Sequence, residues 1–118
     1  MSVTIYEYPK CSTCRNAKKW LDEHNVEYNA IHIVENPPSK EEIKELYEKS
    51  GLELKKFFNT SGKKYRELGL KDKVASASNE ELFELLASDG MLLKRPIVTD
   101  GEKVTVGFKD EMFQKEWK

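Results

Sequence analysis

The chain holds two cysteines, and they stand three residues apart in Cys11-Ser12-Thr13-Cys14. A cysteine acts as a nucleophile only as its thiolate, and this spacing is one of the settings that favours ionisation. The chemistry open to such a pair is thiol–disulfide exchange. One thiolate attacks a sulfur, a mixed disulfide forms, and the neighbouring thiol closes an intramolecular bridge that releases the product. Cys11 lies where an extended segment hands over to a predicted helix, so free backbone N–H groups and the positive end of the helix dipole favour its thiolate. It is the predicted nucleophile. Arg15, at i+4, is the predicted cation over the same sulfur. Cys14 shares an apolar helix side with Ala17 and Leu21, which predicts a buried, less acidic thiol suited to resolving. The same pair can instead store the oxidised state as a signal. Ser12 and Thr13 offer N–H groups and hydroxyls to an anion or a leaving thiolate.

Other uses of the two cysteines compete. They make half of a zinc site, but the histidines are His24 and His32, one at a predicted helix end and one in a predicted strand, so no metal site is expected. Cys14 could also be a core residue and nothing more, because free cysteine packs as a small hydrophobe. What favours redox chemistry is the strand-to-helix setting.

The elements that must position the pair can be read from periodicity. Val3 to Tyr8 reads as a first strand, stopped by Pro9-Lys10. A helix runs from Ser12 to about His24, with Cys14, Ala17 and Leu21 at spacings of three and four and Trp20 on the adjoining edge. Asn25 stops it, and Val26 to about Ile33 is a second strand. After Pro37-Pro38, Ser39 caps a helix with Glu42 three residues later, Ile43, Leu46 and Tyr47 as its stripe and Gly51 as its end. Leu52 to Leu70 is helical in small pieces. Ser78 caps a further helix with Leu82, Phe83, Leu85 and Leu86 inward, closed by Asp89-Gly90. Ile97-Val98-Thr99 and Lys103 to Val106 flank Asp100-Gly101 as a hairpin, and a last helix from about Lys109 carries Met112, Phe113 and Trp117 on one side. This order is the α/β thioredoxin arrangement with helices inserted in its middle.

At 118 residues the chain has room for one domain, 1–118. With 20 basic and 21 acidic residues of interleaved sign it shows no basic block, so no direct nucleic-acid partner is expected. No stretch approaches the ~18 apolar residues of a membrane span. The N-terminus lacks a basic leader and apolar run, which points to the cytoplasm, where a cysteine pair is catalytic or redox-sensing more often than structural. A monomer without an organic cofactor is the expectation.

Tyr8-Pro9-Lys10-Cys11-Ser12-Thr13-Cys14-Arg15-Asn16 resembles the N-terminal signature of the glutaredoxin-linked arsenate reductases and the Spx-type regulators. Tyr65-Arg66-Glu67-Leu68-Gly69-Leu70, Asp89 to Ile97, and Val106-Gly107-Phe108 are similar to later family segments in the same order. The resemblance covers essentially the whole chain. It implies a thioredoxin-like (glutaredoxin-like) mixed sheet with a helical insertion, in which Pro96 takes a cis peptide bond facing the nucleophile and brings Arg95 towards the sulfur. A second possibility for Pro96, a proline that merely opens an edge strand, fits the same residues. In the reductases the cysteine matched by Cys11 attacks arsenate, three arginines hold the oxyanion, and glutathione and glutaredoxin supply electrons. Arg95 matches one of those arginines; the other two positions fall near Asn59 and Gly107, where this chain offers no cation. Each missing arginine removes charge-assisted hydrogen bonds worth ~1.5–3 kcal/mol. Cys14 replaces the family's usual serine, which points to dithiol chemistry. Two functions follow from the resemblance. One is a thiol oxidoreductase acting on a disulfide, glutathione adduct or oxyanion through Cys11, Cys14, Arg15 and Arg95, with glutathione or a glutaredoxin- or thioredoxin-type protein as reductant. The other is an Spx-like redox sensor whose Cys11–Cys14 disulfide alters binding to a partner such as RNA polymerase.

Overall fold

Residues 2–118 are described in the computed structural model. Side chains alternate along β1 (Ser2–Glu7), so Val3, Ile5 and Glu7 share one face, and all three are buried. The chain then enters α1 (Ser12–Glu23), whose buried Cys14, Ala17, Trp20 and Leu21 form the predicted stripe. It returns in β2 (Glu27–His32), parallel to β1 from Ser2↔Glu27 to Glu7↔His32. A parallel return needs a crossover, and α1 supplies it. β3 (Ile97–Thr99) and β4 (Val104–Val106) form an antiparallel hairpin, with β3 also antiparallel to β1, giving the sheet order β2-β1-β3-β4. In the hairpin turn the Asp100 carboxylate accepts the N–H groups of Glu102 (2.9 Å) and Lys103 (3.0 Å), and Gly101 takes φ +98°. α6 (Asp110–Trp117) follows.

These elements form the first of two compact units, the chain up to His32 together with Arg95–Lys118. Its core joins Val3, Ile5, Ala17, Trp20, Leu21, Val98, Phe113 and Trp117. Phe113 meets Trp20 and Phe108 edge-on at 5.3 and 4.7 Å, an arrangement the ring quadrupoles favour. Trp117 Nε1–H donates to Thr105 Oγ1 at 3.0 Å, which satisfies the buried hydroxyl.

The second unit, Ile33–Lys94, is mainly helical. α2 (Lys40–Ser50) starts with a full capping box: Ser39 Oγ accepts the Glu42 N–H at 3.1 Å and Glu42 Oε1 accepts the Ser39 N–H at 3.3 Å. Ser39→Ala should therefore cost about 1 kcal/mol in a urea melt, with an unchanged m-value. α2 packs against α5 (Asn79–Ser88), and Lys40 bridges to Glu80 (2.7 Å) and Glu84 (3.4 Å). Both carboxylates are exposed, so the pairs add little stability.

Two expectations need correcting in this unit. The stretch Leu52–Leu70 does break into a 3-10 turn (Leu54–Phe57) and a short α3 (Lys63–Glu67), but α4 (Leu70–Ser76) begins where that stretch was expected to end. It buries only Leu70, so no apolar period announces it. Asp89-Gly90 does not simply stop α5. Asp89 is extended, and its Oδ1 accepts the Met91 N–H at 2.9 Å to cap a new 3-10 turn, Gly90–Leu92. Strand and helix ends otherwise shift by about one residue from the predicted limits. Among the described residues no helix is long and apolar enough to cross a membrane.

Candidate active site

Cys11 is the N-cap of α1, with extended backbone (φ −87°, ψ 119°). Its N–H donates to the Tyr8 carbonyl at 2.9 Å, closing the turn made by Pro9 and Lys10, and its Sγ accepts the Cys14 N–H at 3.4 Å. The sulfur therefore occupies the place a capping oxygen usually takes, in line with the unpaired N–H groups of the first turn. Cys11 is half-buried and Cys14 has no exposed surface.

The two thiols are driven in opposite directions. Burial pushes Cys11 up, but hydrogen bonds from the Cys14 side chain and N–H, and then hydrogen bonding and charge from Arg95, outweigh it and hold the thiol below its ordinary value. Burial pushes Cys14 up to about 12; a backbone hydrogen bond from Tyr8 opposes the rise, while Cys11 and Glu7 add to it. Of the two thiols, Cys11 is the one that ionises more readily.

Arg95 is half-buried, with its guanidinium carbon 5.4 Å from the Tyr8 ring centroid in a cation–π arrangement. The Arg95–Pro96 peptide bond is cis, Pro96 is buried, and its carbonyl accepts the Gly107 N–H at 2.8 Å. Arg15 was expected over the sulfur. The structure leaves it exposed on α1, and the guanidinium that acts on Cys11 is that of Arg95. Arg15 was expected there because i+4 neighbours meet on the side of a helix, whereas Cys11 caps the helix and does not lie on its side. Ser12 and Thr13 are exposed in the first turn of α1.

Arg95→Met should raise the Cys11 pKa and slow its reaction with a thiol reagent several-fold at pH 7, while Arg15→Met leaves both nearly unchanged. Thiolate absorbance against pH reads this directly.

Tyr8 was missed as a site residue, although it supplies the turn carbonyl, a hydrogen bond to Cys14 and the ring beneath Arg95. In sequence it reads as a strand end. His24 stacks on Trp20 at 3.9 Å, and His32 lies edge-on to Tyr8 at 5.7 Å. Among the described residues no group of three or more His, Cys, Asp or Glu is placed to hold a metal ion.

Residues 6–115 match the sequence model of the ArsC family. The Bacillus subtilis protein YusI is 70% identical over 117 residues, covering 99% of each chain. The global transcriptional regulator Spx of Listeria innocua is 32% identical over 113 residues, 96% of this chain and 85% of that protein. The solved arsenate reductase of Vibrio cholerae superposes with a TM-score of 0.87 at 34% identity, over 98% of this chain and 97% of that one. A Cys-x-x-Cys pair at the head of α1, a cis-proline behind Arg95 and these likenesses agree: the chain is a member of the ArsC family with a thioredoxin-like fold.

Proposed function

We propose that the protein is a thiol-dependent oxidoreductase that reduces a disulfide or glutathione adduct through a Cys11–Cys14 cycle. The observation that carries this reading is the placement of the pair: Cys11 caps α1 with its Sγ accepting the Cys14 N–H at 3.4 Å, and Cys14 is fully buried three residues on, which lowers one thiol and raises the other. Cys11 attacks as a thiolate and displaces one half of the substrate. Cys14, protonated until then, attacks the Cys11 sulfur and displaces the other half, so substrate gains two electrons and the pair becomes a disulfide. Arg95 steadies negative charge at Cys11 throughout. Glutathione or a glutaredoxin- or thioredoxin-type protein then restores the dithiol.

Sulfur substrates are favoured over arsenate. At the two positions where arginines are matched, Gly107 carries no side chain and Asn59 is neutral. A second reading, a redox-switched regulator with a partner such as RNA polymerase, is favoured by the identity to Spx.

Turnover separates the two. Incubation with a glutathionylated peptide and excess glutathione should give many product equivalents per protein. Release limited to one equivalent, followed by a change in polymerase binding, would favour the regulator.

A further inference from the structure

The charges of the whole chain nearly balance, but the second unit separates them. Residues 55–73 hold seven basic and two acidic residues, a net +5, whereas the rest of that unit, 33–54 and 74–94, holds four basic and ten acidic, a net −6. The basic stretch includes α4, which buries only Leu70 and so adds little to the core. Its Lys71, Val74 and Ala75, at spacings of three and four, share one helix face.

That face lines a cavity of about 470 Å³. Another part of its wall comes from two segments tied together by their backbones: the Asn59 N–H donates to the Leu92 carbonyl at 2.8 Å, the Lys94 N–H donates to the Phe57 carbonyl at 2.7 Å, and Phe58 pairs with Leu93 between them. This ladder holds Phe58 at the cavity beside Tyr65, with ring centroids 6.1 Å apart, and brings Lys94 to the same rim. Four lysines line the cavity with the aromatic pair. Lys55 pairs with Glu53 at 3.3 Å, while Lys56, Lys71 and Lys94 are exposed and, among the described residues, have no ion-pair partner. Three unneutralised cations about one apolar floor repel one another and contribute nothing to folding. An apolar centre inside a charged rim is the anatomy of an interaction site.

We propose that this cavity docks an acidic segment of a partner protein, with an apolar side chain seated on Phe58 and Tyr65 and carboxylates before and after it meeting Lys56, Lys71 and Lys94. Charge complementarity selects the anion, and the aromatic floor asks for an apolar group within it. Arg66 and Lys73, both exposed, extend the positive charge beyond the cavity lining, further than a small anion would reach and in keeping with an extended chain. The net −6 of the rest of the unit repels a polyanion long enough to run past the basic stretch, so a short acidic run fits where a nucleic-acid duplex does not. The surface lies in the unit that holds neither cysteine, so the proposal stands apart from the dithiol reading.

The test is fluorescence anisotropy of the full chain with a dye-labelled peptide that carries two glutamates on each side of a phenylalanine. Wild type should bind it saturably at low ionic strength and more weakly as salt screens the charges. Lys71→Glu together with Lys94→Glu should weaken binding about tenfold or more, because like charges then face each other. Lys71→Gln with Lys94→Gln should give a smaller loss and keeps the test available where the reversed pair does not fold. Lys44→Glu with Lys49→Glu, on α2 outside the cavity, makes the same change in net charge and should leave binding unchanged. A peptide with serine in place of phenylalanine should bind about tenfold more weakly, since the apolar floor is then left wet. Absence of binding to wild type at about 1 mM peptide, equal losses in the two charge-reversed pairs, or indifference to the phenylalanine overturns the proposal. So does a short DNA duplex that binds more tightly than the peptide and loses affinity in the Lys71 and Lys94 variants, since the surface then reads phosphates.

Discussion

Cys11→Ser should lose at least ~10³-fold in rate towards any disulfide, because a serine hydroxyl at this N-cap accepts the same N–H bond but is not ionised at neutral pH. The fold should survive. A hydroxyl is a better cap than a thiol, so a thermal melt of the variant should match or slightly exceed wild type. Cys14→Ser should differ in kind. Its Cys11 still attacks at near the native rate, but the mixed disulfide persists until an external thiol removes it. Mass spectrometry after oxidised glutathione should then find one glutathione per chain in Cys14→Ser, an internal bridge in wild type and neither in Cys11→Ser. The sign of the pH dependence follows from the lowered Cys11 pKa. The first-attack rate climbs with pH through a midpoint below the ordinary thiol value, stays level above it, and is lost as acid protonates the sulfur.

The second large effect is structural. A Cβ on Gly90 would sit 1.9 Å from the Ile33 carbonyl oxygen and 2.7 Å from its carbon, both backbone atoms that cannot swing aside. Gly90→Ala should cost about 3 kcal/mol or more and lower Tm by on the order of 10 °C. Gly69→Ala is the control. Gly69 has φ +60° and nothing within 4 Å of its would-be Cβ, so it tests backbone strain alone, worth about 1–2 kcal/mol. A Gly90→Ala variant no less stable than Gly69→Ala would mean that the Gly90 turn does not approach Ile33 in the way described.

Much of this arrangement was legible in the residues. Cys14, Ala17, Trp20 and Leu21 repeat at helical spacing and are all buried, and Ser39 with Glu42 spells a capping box that forms. The Asp100-Gly101 hairpin and the order of elements were equally plain, because both rest on local chemistry. Arg95 reaches Cys11 from 84 positions away, so it was the family resemblance and no local pattern that pointed to it. What escaped also depends on contacts distant in sequence. Gly90 looks like a helix stop until Ile33 is seen beside it. Glu7 escaped as a buried residue, since one acidic residue at a strand end is ordinary. α4 escaped for the opposite reason, having one buried residue and hence no period to detect.

The central claim is that Cys11 ionises below the ordinary thiol range and well before Cys14. Ultraviolet thiolate absorbance, titrated with pH in wild type and in Cys14→Ser, measures this most directly. The account predicts one thiolate forming below the ordinary thiol range in both proteins, and a second, only in wild type, at strongly alkaline pH. Titration of Cys11 at or above the ordinary value of a free cysteine, or two thiols ionising together, would contradict it.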